Sequence, residues 1–205
     1  MRPVVLSYTP ADDNLTGFLS NATGATWTLT TTTPGDSMAH LVKITNDSAT
    51  DHSAKTAVLT GTDAENRVQT ETLNLPAASV AVTSTKYFRT LTSVVPSATI
   101  GADTMDIGWT DGAVNHMVVT NWRQNPFSIS VGVDITGTIN YDVQHTFDDI
   151  FTVAASAVSW FDHSSIAAKI ADADGNYAFP VRAIRLLINS LTTGATAELF
   201  ILQGE

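Results

Sequence analysis

The chain has 205 residues, 43% of them hydrophobic and 15% charged, and ten basic against twenty acidic side chains give a net charge of −10. That field repels nucleic acid and anionic lipid and argues against a DNA- or RNA-binding role. With no cysteine, a disulfide scaffold and a thiolate zinc site are excluded as well.

The opening MRPVVLSYTPADDN has a short apolar run, Val4 to Tyr8, and then Pro10 and two aspartates. It lacks the long apolar segment of a secretory signal. No segment elsewhere approaches the ~20 apolar residues of a membrane span, so synthesis in the cytoplasm without a signal peptide is expected. Residues 1–25 read as an N-terminal arm with a first strand, docked on a partner or loosely ordered. Trp27 and Leu29 lead through a threonine run to the breaker Pro34-Gly35. Short strands follow at Met38–Thr45, Ala57–Leu59, Val68–Leu75, Val80–Val82, Tyr87–Val95 and Thr104–Trp109, with Gly61–Asn66 connecting two of them. Turn signals between short strands at intervals of ~10 residues predict a sandwich or barrel. The abundant threonine agrees, because a β-branched side chain suits a pleated surface. Asp111-Gly112 marks a module boundary, and His116–Trp122 reads as a connecting strand.

The clearest pattern is Phe127 to Phe147, FSISVGVDITGTINYDVQHTF. Apolar residues hold the odd positions on both sides of Gly137, from Phe127 through Val133 and Ile135 to Ile139, Tyr141, Val143 and Phe147. Alternation puts that face in a core. Read as an antiparallel hairpin, it pairs Ile135 with Ile139 across the loop Thr136-Gly137-Thr138. Residues 151–173 lose the alternation, and strands resume at Tyr177, at Ile184 and at Thr196–Leu202. The expected fold is therefore all-β: an antiparallel β-sandwich, jelly-roll-like, in two modules, 26–112 and 113–205, the second built around the 127–147 hairpin.

No stretch announces chemistry. Gly35-Asp36-Ser37 has the letters of an esterase nucleophile block, and Asp142 with His145 would supply the acid and base. Yet Ser37 follows a threonine run, and the opposite parity of Asp142 and His145 sends them to opposite faces. Asp172, Asp174 and Gly175 begin like a calcium loop, but Tyr177 to Pro180 offers no further oxygen ligands. The histidines at 40, 52, 116, 145 and 163 show no paired ligand spacing, and His145 reads as a hydrogen-bonded core or edge residue. Asp148 and Asp149 read as capping and solvating their loops, with an acid–base couple to Asp162 as the other reading. Of the aromatics Trp27, Trp109, Trp122, Trp160, Phe161 and Tyr177, Trp109 is in phase with a core face. Trp160-Phe161 lie outside any strand pattern and read as a plug or an interface. No catalytic residue, metal ligand or cofactor is assigned.

Three stretches carry a resemblance: Lys86-Tyr87-Phe88-Arg89-Thr90 to Ile107-Gly108-Trp109; Arg123-Gln124-Asn125-Pro126-Phe127 through Phe147-Asp148-Asp149; and Asp174-Gly175-Asn176-Tyr177 through Arg185, ending Leu202-Gln203-Gly204-Glu205. The chain resembles small structural proteins of tailed-bacteriophage virions, of the head-decoration or tail-accessory kind. That resemblance implies a non-enzymatic protein on the outer surface of the virion. Its partners would be the major capsid protein or other virion proteins, and it would form a symmetric homo-oligomer bound to neither nucleic acid nor membrane. A tail, baseplate or fibre-associated module touching host glycans is the alternative. The contact would come from the arm or from residues 151–173, through Tyr8, Leu15, Phe18, Trp160, Phe161 and Ile166.

Overall fold

A computed structural model describes residues 3–154 and 157–204. Residues 1, 2, 155, 156 and 205, from the expected arm, the 151–173 segment and the last module, lie outside the described residues. The described chain is all-β, with antiparallel sheets and no α-helix. It divides into two compact units, one made of 1–12 with 114–205 and the other of 13–113. The second is an insertion between the first strand of the first unit and the rest of it. The stretch 1–25 is thus shared between the units.

The inserted unit holds β2 (Asn14–Ala22), β3 (Ala39–Asn46), β4 (Thr56–Thr62), β5 (Val68–Asn74), β6 (Ala81–Phe88), β7 (Thr90–Pro96) and β8 (Met105–Val114). Its strands form the orders β2–β8–β3–β6 and β5–β4–β7. What reads in sequence as one strand, Tyr87–Val95, is broken at Arg89, so β6 joins one sheet and β7 the other. The core gathers Phe18, Val42, Ile44, Leu59, Leu91 and Ile107, all fully buried. Phe18 meets Trp109 edge to face at 4.9 Å. Gly17 is required there, since a Cβ would lie 2.1 Å from the Trp109 ring.

The discontinuous unit is a sandwich of two sheets. One has the order β1 (Val4–Tyr8), β15 (Thr196–Gln203), β10 (Ile129–Thr136), β13 (Ala173–Tyr177). The other has β12 (Phe161–Asp162), β11 (Ile139–Thr146), β14 (Ala183–Leu191) and the short β9 (Val118–Val119). Alternation places Ile129, Val131, Val133, Leu199 and Ile201 of one sheet in the core, and Ile139, Tyr141, Val143, Leu186 and Ile188 of the other. Each such side chain contributes roughly 1.5–3 kcal/mol by leaving water.

The expected hairpin is corrected here. β10 pairs with β13 and β15, whereas β11 pairs with β12 and β14. Ile135 lies opposite Ala197, and Ile139 opposite Leu191. Thr136-Gly137-Thr138 is an arch carrying the chain from one sheet to the other. A second arch, between β14 and β15, lies against it. Thr192 N donates to Thr138 O at 2.9 Å, Thr138 N donates to Thr192 Oγ1 at 3.2 Å, and Gly137 sits over Ala195 at φ +84°. Parity could not tell the two layouts apart. A hairpin with a three-residue loop and an arch between facing sheets both keep the odd residues inside.

Candidate contact surface

The end of the discontinuous unit far from the arches is built around the last residues of β11. His145 has the parity of Tyr141 and Val143, so it points inward and is buried, and Tyr177 Oη lies 3.3 Å from its Nδ1. Around this ring stand three phenylalanines. Phe147, just past the strand, meets it edge on at 5.1 Å. Phe161 is brought in by the pairing of β12 with β11, opposite His145, at 5.9 Å between centroids. Phe179, two residues beyond β13, also lies at 5.9 Å. Phe147 is 5.7 Å from Phe161 and 6.0 Å from Phe179. The three rings remain 51%, 49% and 48% exposed for Phe147, Phe161 and Phe179, so they form the outer layer over a buried imidazole.

The same surface continues past Phe147 into a groove of about 430 Å³ lined by Trp122, Phe147, Pro180, Val181 and Arg182. Arg182 is fixed at the root of β14, where its N donates to Thr146 O at 2.8 Å and its carbonyl accepts from Thr120 N at 3.1 Å. Its guanidinium lies 5.2 Å from the Trp122 ring and 5.6 Å from Phe151, and Nη2 donates to Asp149 Oδ1 at 2.7 Å. Arg123 adds a second guanidinium 4.9 Å from Trp122. The loop bearing Trp122 and Arg123 is tied to the end of β15. Asn121 N donates to Gln203 Oε1 at 3.0 Å, Gln203 Nε2 donates to Asn121 O at 2.9 Å, and Gln124 Nε2 donates to Gly204 O. Trp122 is 38% exposed and Phe151 74% exposed.

Burial pushes the His145 pKa below the ordinary histidine value, and the neighbouring His163 charge adds to that shift. Burial likewise raises the Tyr177 phenol. The hydrogen bond from Arg182 holds the Asp149 carboxyl below its usual range. The surface is therefore apolar at its centre over a neutral imidazole, with arginines at its rim. Exposed aromatics with arginine are the composition of contact hot spots. Its exposed rings can cover apolar area, and its arginines can recognise negative charge.

The residues expected at the contact are scattered. Phe161 belongs to this surface. Trp160 is half-buried, packed on the cluster Met117, Ile150 and Ala183, with the Arg185 guanidinium 4.0 Å from its ring. Ile166 is corrected to a core residue: it is fully buried, and Val143 N donates to its carbonyl at 2.9 Å. Residues 163–169 run along the edge of β11 and are bonded to Tyr141 and Val143, so much of the 151–173 segment is sheet edge. Phe18 is corrected likewise, being fully buried against Trp109 in the inserted unit. Leu15, in the same unit, is 44% exposed. Tyr8, in β1, accepts a 3.1 Å hydrogen bond from Asn115 Nδ2. The arm that carries these residues is in part a sheet strand, since Val4–Tyr8 pairs with β15 in full register.

The other chemical candidates have structural duties. Asp36, not Ser37, meets a histidine: His40 Nε2 is 2.7 Å from Asp36 Oδ2, and its Nδ1 is 2.8 Å from Thr110 O. His52 Nε2 is 2.9 Å from Asp103 Oδ2. Asp142 accepts from Ala168 N and from Asn189 Nδ2. Asp172 accepts from Ile135 N at 2.9 Å, and Asp174 lies in β13 opposite Gly132, so this acidic pair leads into a strand and closes no loop. Among the described residues, no group of three His, Asp or Glu is placed to hold a metal ion.

Sequence reasoning missed Phe151, Phe179, Arg123 and Arg182 as surface residues and took Phe147 for core. The available signals were an apolar ring beside Asp148-Asp149 and an arginine next to Trp122. Both needed the ends of β11, β13 and β14 to be brought together. The chain matches no family model, no curated protein and no solved structure.

Proposed function

We propose that the chain is a non-enzymatic structural protein of a tailed-bacteriophage virion, a capsid decoration or cement protein on the outside of the head. The observation that carries this reading is the exposed aromatic and arginine surface around Phe147 and Trp122, which has the composition of a protein contact. The fold supports it. We read the discontinuous unit as a jelly roll: its eight strands pair as β1 with β15, β9 with β14, β10 with β13 and β11 with β12, a long hairpin rolled into two sheets. Viral capsid domains use that order, and so do lectins and cupins, so the order narrows the class without fixing it. The buried and half-buried ionisable groups point the same way, because His40, His52 and Asp142 are each engaged in holding loops and strands. Net negative charge suits a protein outside a shell of packaged nucleic acid.

A second reading, a tail, baseplate or fibre-associated module touching host glycans, is favoured by the groove itself. At about 430 Å³, with an indole, a carboxylate and two guanidiniums at its edge, it has the size of a small-ligand site. Electron microscopy of the phage that encodes the chain, with the protein carrying a gold or Fab label, separates the readings. Label spread over the head supports decoration, label confined to the tail supports the alternative, and a particle without the protein overturns both.

A further inference from the structure

We infer that the aromatic and arginine surface docks on a second copy of this chain, on the acidic outer face of the sheet β1–β15–β10–β13, in a head-to-tail contact. The inference rests on reading that surface as a protein contact. None of the residues of β1, β10, β13 and β15 is Lys or Arg, whereas Asp134, Asp174 and Glu198 lie on these strands and Asp172 immediately precedes β13. Asp134 and Glu198 are register partners, so two carboxylates face each other across neighbouring strands. Like charges in that position destabilise a sheet, and although Ser7 Oγ donates to Glu198 Oε1 at 2.6 Å, a cation over the pair would offset the repulsion. Both lie near the arches, at a hollow of about 290 Å³ lined with Ser7, Tyr8, Thr136 and Thr196.

Beside the acids this face carries an apolar row, with Val5 52%, Phe200 37% and Leu202 51% exposed. Val5 and Gly132 flank Phe200 in register. Gly132 adds no side chain, which leaves the Phe200 ring accessible. The two surfaces are therefore complementary in kind: apolar rings with guanidiniums on one, and apolar side chains with carboxylates on the other. They also occupy different places along the strands. Arg123 and Arg182 stand where β11 ends and β14 begins, and Asp134 and Glu198 stand beside the arches at the opposite ends of the strands. Opposite charge at the two ends of one body steers copies into a repeating orientation. A contact between two different surfaces is heterologous, and it closes into a ring or continues as a fibre.

Sedimentation velocity over a concentration series tests this with two variants, each altering one exposed charge and one exposed apolar residue. Arg123→Glu with Phe151→Ser removes the first surface, and Asp134→Lys with Phe200→Ser removes the second. The wild-type chain is expected to associate, and to do so less as salt is raised. Each variant alone is expected to stay monomeric. Their equimolar mixture is expected to form a dimer and nothing larger, because it retains one intact contact. Circular dichroism checks that both variants keep the wild-type fold. Should one unfold, Arg123→Ala and Asp134→Asn replace the pair, each expected to weaken association about tenfold. A wild-type chain that stays monomeric overturns the contact, as does a variant that associates like wild type or a mixture of folded variants that forms no dimer. A chain that is monomeric yet sits on its own particle overturns this contact alone and leaves the virion reading standing.

Discussion

Two pairs of consecutive strands, β4–β5 and β10–β11, show how the same kind of sequence gives opposite layouts. β4 and β5 are joined through Asp63 to Arg67 and form a true hairpin, paired from Thr56 opposite Asn74 to Thr62 opposite Val68. Its turn is closed from within: Asp63 Oδ1 accepts from Glu65 N at 2.9 Å and Arg67 N at 2.8 Å, and Oδ2 accepts from Arg67 Nε at 2.9 Å. β10 and β11 are joined by Gly137 and Thr138, and Thr138 bonds outward, to Thr192 in the neighbouring arch. One connection folds the chain onto itself. The other depends on residues more than fifty positions away and commits its strands to different sheets. Alternation fixes which face is buried; it leaves the pairing partner open.

The largest effect that separates the two regions is expected in the core between the arched strands. Tyr141 is fully buried, and its hydroxyl donates to Ala171 O at 2.8 Å. Tyr141→Ala should cost about 3–5 kcal/mol in urea unfolding. Val68→Ser, on the outer side of the hairpin at 80% exposure, should stay within about 0.5 kcal/mol. Equal costs would mean that β11 does not lie between packed sheets.

Next come the connections. Gly137→Val places a β-branched residue at φ +84° with its Cβ 3.0 Å from the Ala195 Cβ, and should cost about 2–4 kcal/mol. The left-handed residue of the hairpin turn is Asn66 at φ 61°, and Asn66→Gly there should be nearly neutral. Asp63→Ala removes charge-assisted hydrogen bonds that knit the hairpin turn, at a cost of about 2 kcal/mol. A loss of that size from Asn66→Gly, or none from Gly137→Val, would reverse the contrast.

The smallest difference is one of pH. His145 has its folded pKa depressed by burial, so below the ordinary histidine value the unfolded chain binds the extra proton and the discontinuous unit loses stability. In the inserted unit the depressed groups are carboxylates. Asp103, held down by hydrogen bonds from Thr50 and His52, and Asp51, held down by Ser53, contribute stability above the ordinary aspartate value and lose it only as pH falls below that. Thermal melts from pH 7 to pH 5 should decline, and His145→Gln should flatten that decline. A decline unchanged in the variant would remove His145 as its cause.

What could be read in the sequence follows from this. The faces of β10, β11 and β15 were legible because alternation is local. So was the all-β class, since turn residues recur between short strands. The sheet switch at Gly137 and the break at Arg89 were not, because a strand's partner is chosen by the whole set of available edges. The burial of Ile166 was hidden for a related reason: residues 163–169 hydrogen-bond along β11 without the regular alternation of a strand. The contact surface was legible only at Phe161. Phe147 and Phe151 follow β11, Phe179 follows β13 and Arg182 precedes β14, and only the pairing of strands within the two sheets brings them together.

The division of β10 and β11 between two sheets underlies both the arches and the separation of the acidic face from the aromatic one. Engineered disulfides test it directly in a chain that has no cysteine of its own. Ser130 and Leu202 are register partners exposed on the outer face of their sheet, so Ser130→Cys with Leu202→Cys should cross-link quantitatively under mild oxidation. Asp134 and Asn140 would face each other in a β10–β11 hairpin but belong to different sheets, so Asp134→Cys with Asn140→Cys should remain reduced. Cross-linking of 134 to 140 without cross-linking of 130 to 202 would contradict the arrangement.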